Sequence, residues 1–250
     1  MPKKKLKTKY RLIFLDTETT GLTKEDRLCQ LAYKYDDVIV NELFNPGRKI
    51  DIGAMSIHHI TEKMLEGKPD FKESEHFQTL NELLADPTSV FIAHNAQFDI
   101  GMVEREGIKV PQWICTKKIA QYLNADNPDI SRASLQYLRY YYGIDISDAV
   151  AHDAYGDIVI LEEVFNNLVQ TAIKKSKAKE VDYDKVIERM IGITMNPQMI
   201  KKMPFGKYKG YEMTTVMKAE PSYLKWVYTS GKFDEDKSLM FTIKTLLDIE

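Results

Sequence analysis

The stretch LIFLDTETTGL, residues 12–22, constrains the fold of this chain more than any other. Four apolar residues in a row predict a strand buried on both faces, the kind that occupies the centre of a sheet. The run then meets two carboxylates, Asp16 and Glu18, spaced so that both point to one face of a strand. Like charges held that close repel, and burying them unpaired is costly. As a pair they present hard oxygen donors of the type Mg²⁺ or Mn²⁺ prefers. Acids also occur freely on exposed edge strands, so the pair needs further members before it implies a site. Gly21 is expected to let the chain turn away from the acids.

The rest of the chain supplies the other layers. Tyr10–Leu15 is the predicted central strand. Leu28–Tyr35 and Val38–Phe44 follow as two more, joined by a tight turn at Asp36-Asp37. After a loop at Asn45-Pro46-Gly47, the segment DIGAMSIHHITEKML is helical toward its end. Helical spacing over His76–Ala85 stops at Pro87. Val90–Ala93 and Trp113–Cys115 are short strands, each followed by a helix; the first, Gln97–Arg105, closes at Gly107. Ser134–Tyr142 is helical up to Gly143, with Tyr137, Tyr140 and Tyr141 read as a packed face. Asp153 to about Ile173 is a long amphipathic helix. A three-strand meander followed by alternating helices and strands specifies an α/β domain with a mixed sheet.

Composition sets outer limits. At 250 residues, 44% hydrophobic and 29% charged, the chain has ample material for a core. Apolar runs of about four residues are far short of the ~20 that span a bilayer, so no membrane partner is expected. The N-terminal MPKKKLKTKYR is basic without a following apolar stretch, which reads as a solvated tail and not a signal peptide. Two cysteines far apart, Cys29 and Cys115, suit a reducing, cytoplasmic setting. From Leu12 to Ala172 there are 14 Lys and Arg against 26 Asp and Glu, whereas from Lys174 onward basic residues lead 15 to 11. An acidic middle between basic ends suits a metal-dependent enzyme of nucleic acids. The lysine-rich KKSKAKE, residues 174–180, marks a domain edge. Beyond it come a helix near Asp184–Ile193, the turn-rich NPQMIKKMPFGKYKGYEM, and two helical pieces.

Two more acidic motifs join the first. AHNAQFD carries Asp99 in the first turn of the helix after the fourth strand. HDAYGD carries His152 and Asp157 at the start of the long helix. Five residues of continuous helix would set His152 and Asp157 about 140° apart. His152 therefore belongs on the loop before the helix if the two share a site. Asp153 is a rival ligand at i,i+4 from Asp157, or else the helix N-cap.

FLDTETTGL, HNAQFD and HDAYGD together resemble the three motifs of the DEDDh (DnaQ-like) 3′-5′ exonuclease family, which includes the proofreading subunit of DNA polymerase III. The resemblance covers about 165 residues. It implies a ribonuclease H-like fold, a five-stranded mixed sheet flanked by helices. It further implies that Asp16, Glu18, Asp99 and Asp157 hold two Mg²⁺ ions, with Mn²⁺ as a substitute, and that His152 is the general base. The spacing of His152 and Asp157 is similar to that of the histidine branch of the family. SIHHIT is similar to the segment that meets the terminal nucleotide, through Ile57 and His58. His59 stands where the family has glycine, so either histidine is a candidate. Thr17, Asn95 and Phe98 complete the expected substrate-binding set, with Phe98 either stacking on a base or packing in the core. MPFGKYKGYEMTTVMKAEPSYLKWVY resembles the tail module of exodeoxyribonuclease X-like proteins. Taken by itself, the segment interleaves lysines with aromatics, as binding along a nucleic-acid backbone requires.

The expected organisation is a basic tail at 1–9, an exonuclease domain at 10–175, a linker and helix at 176–198, and a small, mostly helical C-terminal module at 199–250. The expected activity is metal-dependent 3′→5′ hydrolysis of DNA, single-stranded and double-stranded, to nucleoside 5′-monophosphates. Repair or replication proteins, a polymerase among them, are the expected protein partners. Three competing readings are a 3′→5′ exoribonuclease, a proofreading subunit with the tail as its docking element, and a non-catalytic nucleic-acid-binding module.

Overall fold

The apolar run opens β1 (Arg11–Thr19), which continues through both acids instead of stopping before them. The continuation has a simple cause. β2 (Leu28–Tyr35) pairs antiparallel with β1 from Ile13 to Thr19, with Asp16 opposite Ala32 and Glu18 opposite Gln30, so ladder bonds extend across the acidic stretch. The register slips between Glu18 and Thr19, where the strand ends. β3 (Val38–Leu43) pairs antiparallel with β2, and Asp36 takes the left-handed turn conformation, φ 50°, between them. β4 (Ser89–Ala93) lies parallel to β1, and β5 (Trp113–Cys115) parallel to β4. The order β3-β2-β1-β4-β5 makes β1 the central strand of a five-stranded mixed sheet.

The computed structural model describes residues 7–125, 127, 130, 134–146, 154–234 and 236–249. These residues form two compact units that divide between Thr194 and Met195.

In the first unit, helices cover both faces of the sheet. One layer holds α3 (Glu75–Ala85) and α4 (Gln97–Arg105), whose Leu80, Leu84, Ile100 and Val103 pack with Ile13 and Leu15. The opposite layer holds α5 (Thr116–Leu123), α6 (Leu135–Tyr141) and α7 (Ala154–Ser176), packed with Phe14. The Phe14 ring meets Phe165 of α7 edge to face at 5.5 Å. Odd and even residues of β1 thus serve different layers. Leu31 and Phe91 join the first core, Val90 and Ile92 the second. The helix α8 (Tyr183–Met195), within the segment read as linker, buries Ile187, Met190 and Ile193 in the same core as α7.

Three local expectations change. The helix α1 (Ile52–His58) occupies the start of the DIGAMSIHH segment, because the Asp51 side chain caps Gly53 N at 2.6 Å. A short α2 (Glu62–Leu65) follows after His59, which is left-handed with φ 60°. The α6 tyrosines are not a packed face: Leu138 is the buried residue, and Tyr140 is 75% exposed. A seven-residue helix has one inward stripe, and Leu138 takes it. Third, the long α7 runs on to Ser176, past the expected end at about Ile173.

In the second unit, a loop closed by a bridge between Lys202 and Glu212 precedes α9 (Met213–Ala219), α10 (Pro221–Thr229) and α11 (Lys237–Leu247). Two helical pieces were expected here, and three form. Pro221 splits the first, since Glu220 before it leaves the helical region at φ −152° and ψ 74°. Met203, Met213, Val216, Leu224, Val227, Leu239 and Ile243 make a separate core.

Candidate active site

Two helices that lie on opposite faces of the sheet bring their N-terminal turns to the carboxyl end of β1. β4 ends at Ala93, the chain turns through Asn95 in the left-handed conformation at φ 63°, and α4 presents Asp99 in its first turn. α7 presents Asp157 in its own first turn. Asp16 and Glu18 project from the even-numbered face of β1, which α7 covers, while Thr17 points to the α4 side. Asp99 is buried at 3% exposure and is held there by Thr17, whose backbone N donates to Oδ1 at 3.1 Å and whose Oγ1 donates to the same oxygen at 2.8 Å. Asp157 Oδ1 accepts from Gln136 Nε2 of α6 at 2.8 Å.

The four acids feel one another's charge. Burial raises the Asp16 carboxyl well above the usual range, and Asp99, Glu18 and Asp157 push it further. Glu18 is raised to about 8, by burial first and then by Asp157 and Asp99. Burial also raises Asp99, against the pull of its bonds from Thr17. Among the described residues no three or more His, Cys, Asp or Glu are grouped closely enough to hold a metal ion as they stand. The fit to a divalent cation rests instead on the donors: four hard carboxylates, with burial and neighbouring charge raising the proton affinity of Asp16 and Glu18, a charge that a cation would offset.

The loop after β1 is braced from behind. Burial would raise Asp26, but the donors of Thr20 and Thr23 outweigh it and hold the carboxyl below its usual range. The bonds run from Thr20 Oγ1 to Oδ1 at 2.7 Å, and from Thr23 N and Oγ1 to Oδ2 at 2.8 and 2.7 Å. The role of Gly21 follows from this. Its φ is not positive, and what matters is space, because a Cβ there would meet the Asp26 carboxylate at 2.6 Å. Arg27 anchors the far end of the loop through Nε and Nη2, which donate to Glu106 Oε1 and Oε2, both at 2.8 Å.

The residues expected at the substrate divide by exposure. Ile57 is 56% exposed and Asn95 is exposed, whereas Phe98 is half-buried. His58 is buried, with Nε2 donating to Thr19 O at 3.2 Å and Nδ1 accepting from Ile60 N at 3.0 Å. Burial lowers its pKa, so the ring is neutral, and it ties α1 to the end of β1. His59 is exposed. Thr17 is buried against Asp99, so its bonds position an acid. His152 and Asp153 lie outside the described residues. Sequence reasoning missed Gln136: it lies 21 residues from Asp157, and nothing in its own helix marks it.

Known exonucleases are similar to this chain in sequence and in fold. Residues 13–165, more than half of the chain, match the family described as Exonuclease. Exodeoxyribonuclease 10 of Escherichia coli K12 is 29% identical over 232 residues, covering 88% of this chain and 91% of that protein. DNA polymerase III subunit epsilon of Haemophilus influenzae is 30% identical, covering 62% of this chain and 66% of that protein. In fold, the chain is similar to E. coli Exonuclease I solved with a dT13 oligonucleotide, at a TM-score of 0.54 and 18% identity, covering 66% of this chain and 42% of that one. With its ribonuclease H-like sheet and a family match over residues 13–165, the chain belongs to the exonuclease family, as a DnaQ-like 3′-5′ exonuclease.

Proposed function

We propose that this protein removes nucleoside 5′-monophosphates from the 3′ end of DNA in a reaction that depends on divalent metal. The observation that carries the reading is the convergence of Asp16, Glu18, Asp99 and Asp157, whose charges act on one another although Asp99 and Asp157 come from opposite layers. These four residues would hold two Mg²⁺ ions, with Mn²⁺ able to substitute. Bound there, the ions would lower the pKa of an attacking water and offset charge on the attacking and leaving oxygens.

The chain's own groups prepare that chemistry. Thr17 takes Asp99 Oδ1 with two donors, which fixes the carboxylate plane and leaves Oδ2 for a cation. Gln136 orients Asp157 in the same manner. The motif HDAYGD assigns the proton to the imidazole of His152. A base must be neutral to accept it, so the rate should rise through a histidine pKa, ordinarily near ~6.5. Ile57, Asn95 and Phe98 are the side chains offered to the terminal nucleotide, and His58 keeps α1 in register with the acids.

DNA is favoured as substrate over RNA because the exodeoxyribonuclease relative spans 88% of this chain, more than the first unit supplies. The polymerase subunit spans less of it, which favours a free-standing exonuclease. The test is cleavage of 5′-labelled single-stranded and duplex DNA and RNA, with Mg²⁺ or with EDTA. The expected result is a ladder shortening from the 3′ end of DNA, absent in EDTA. Shortening of RNA alone would move the reading to an exoribonuclease, and binding without cleavage would leave a non-catalytic module. A pH profile that stays flat from about 5.5 to 8 would remove His152 from the role of base.

A further inference from the structure

The acidic cluster leaves unexplained a second concentration of chemistry-bearing side chains, in the unit from Met195 to Glu250. Six aromatic rings there form a connected series. Tyr211 contacts Tyr208 at 5.9 Å, Tyr208 contacts Tyr223 at 5.2 Å, and Tyr223 contacts Trp226 at 5.9 Å. Trp226 meets Phe233 at 6.5 Å, and Phe233 stacks on Phe205 at 4.3 Å. The series runs from the core to the surface. Phe205, Tyr208, Tyr223 and Phe233 pack against the apolar core of the unit, while Tyr211, 57% exposed, and Trp226, 48% exposed, stay open to solvent.

Its placement is built into the backbone. Met203 N donates to Tyr211 O at 2.9 Å and Gly210 N to Met203 O at 2.8 Å, closing the loop that carries Phe205, Tyr208 and Tyr211. Gly206 turns that loop at φ 69°, and a Cβ there would run into the Tyr223 hydroxyl. Glu220 accepts from the Tyr208 hydroxyl at 2.7 Å and from Lys207 Nζ at 2.6 Å, fixing both.

Cations surround the rings. Lys207 Nζ lies 5.1 Å from the Tyr208 centroid and 5.3 Å from that of Tyr223, and Lys232 Nζ lies 5.9 Å from that of Trp226. Lys207 is engaged by Glu220, but Lys209, Lys225 and Lys232 have no carboxylate partner among the described residues. Lys225 and Trp226 are adjacent on the exposed side of α10. Over 195–250 there are nine lysines against seven acidic residues, the reverse of the balance in the first unit.

We propose that the second unit binds a single strand of nucleic acid on this surface, with Trp226 as the stacking platform and Lys209, Lys225 and Lys232 meeting the phosphates. Aromatic faces accept any base, and lysines track a backbone; a strand uses both at once. An apolar protein anchor would use the rings but would leave the cations beside them unsatisfied. The choice of ligand class rests on the exonuclease reading.

The test titrates a labelled oligothymidylate of about 30 nucleotides, several times a typical ~4–16 nucleotide site, into the full chain in EDTA, and repeats it with a trinucleotide. Trp226→Ala is expected to weaken long-strand binding about tenfold, as loss of one stacked base does. Trp226→Phe should restore most of it. Lys225→Glu with Lys232→Glu should weaken it further and flatten the salt dependence. Hydrolysis of the trinucleotide with metal present should be unchanged in all three. Unaltered long-strand affinity in Trp226→Ala and in the lysine variant overturns the proposal. So does equal weakening toward the trinucleotide, or an equal preference for blunt duplex. Failure of the wild-type chain to hydrolyse any oligonucleotide would count against the exonuclease reading, while the dependence on Trp226 would still decide the surface.

Discussion

The two units solve opposite electrostatic problems. In the first, four carboxylates approach one another at the end of a buried strand, and three of them are pushed toward protonation. In the second, lysines lie over aromatic faces, and the net balance is positive. Gathering negative charge suits cation binding and repels a polyanion. Gathering positive charge over π faces attracts a strand and offers nothing to a metal. Keeping the two charge patterns in separate cores lets each exist without cancelling the other.

The sharpest way to separate them is Asp16→Ala. It should lower hydrolysis about a thousandfold or more, because it removes several kcal/mol of charge stabilisation at 1.36 kcal/mol per tenfold. Long-strand affinity measured in EDTA should hold or increase, since one repelling charge is gone. A parallel loss of binding would break the division of labour between the units.

Phe165→Ala comes next. It removes the ring packed against Phe14 and should cost about 3–5 kcal/mol of first-unit stability. In a denaturant titration, tryptophan emission of Trp113 should report the loss, while Trp226 in the second unit should report little change. Coincident shifts at both probes would show a single cooperative unit.

Thr17→Val keeps shape but deletes the Oγ1 donor to Asp99. Bonds to charged groups contribute about 1.5–3 kcal/mol, so a rate loss of about tenfold or more is expected, with substrate affinity nearly intact. An unchanged rate would remove Thr17 as a positioning residue.

A further effect concerns pH. Glu18 in the folded protein is raised to about 8, above the ordinary ~4.3 of an unfolded glutamate. The folded state therefore binds the proton more tightly. Its contribution is fully present below the unfolded pKa and is lost as pH rises through about 8. In EDTA the melting temperature should fall between about pH 5 and 8.5, and Mg²⁺ should recover it at the upper end. A second-unit variant such as Trp226→Ala should leave that slope unaltered.

Much of the first unit was legible along the chain. Two-residue alternation and apolar runs mark β1, β2 and β4 because side-chain direction in a strand is a local property. The acids stood out because a carboxylate interrupts a buried pattern where packing alone would never place one. The second unit was less legible. Its three helices are short, and the break at Pro221 depends on one residue. The tyrosines of α6 also misled, since helical spacing shows that residues share a face but not which face is inward.

The sequence alone determined the order of the strands along the chain, the spacing of Asp16 and Glu18, and the presence of the motifs holding Asp99 and Asp157. Tertiary structure alone decided that Thr17 would hold Asp99 across 82 residues, that Gln136 would reach Asp157, and that Gly21 would be needed for the room taken by Asp26. Local chemistry is written in neighbours and periodicity. Which face of β1 meets which helix is set by two cores closing on a single strand, and a contact made that way exists only once the layers have packed.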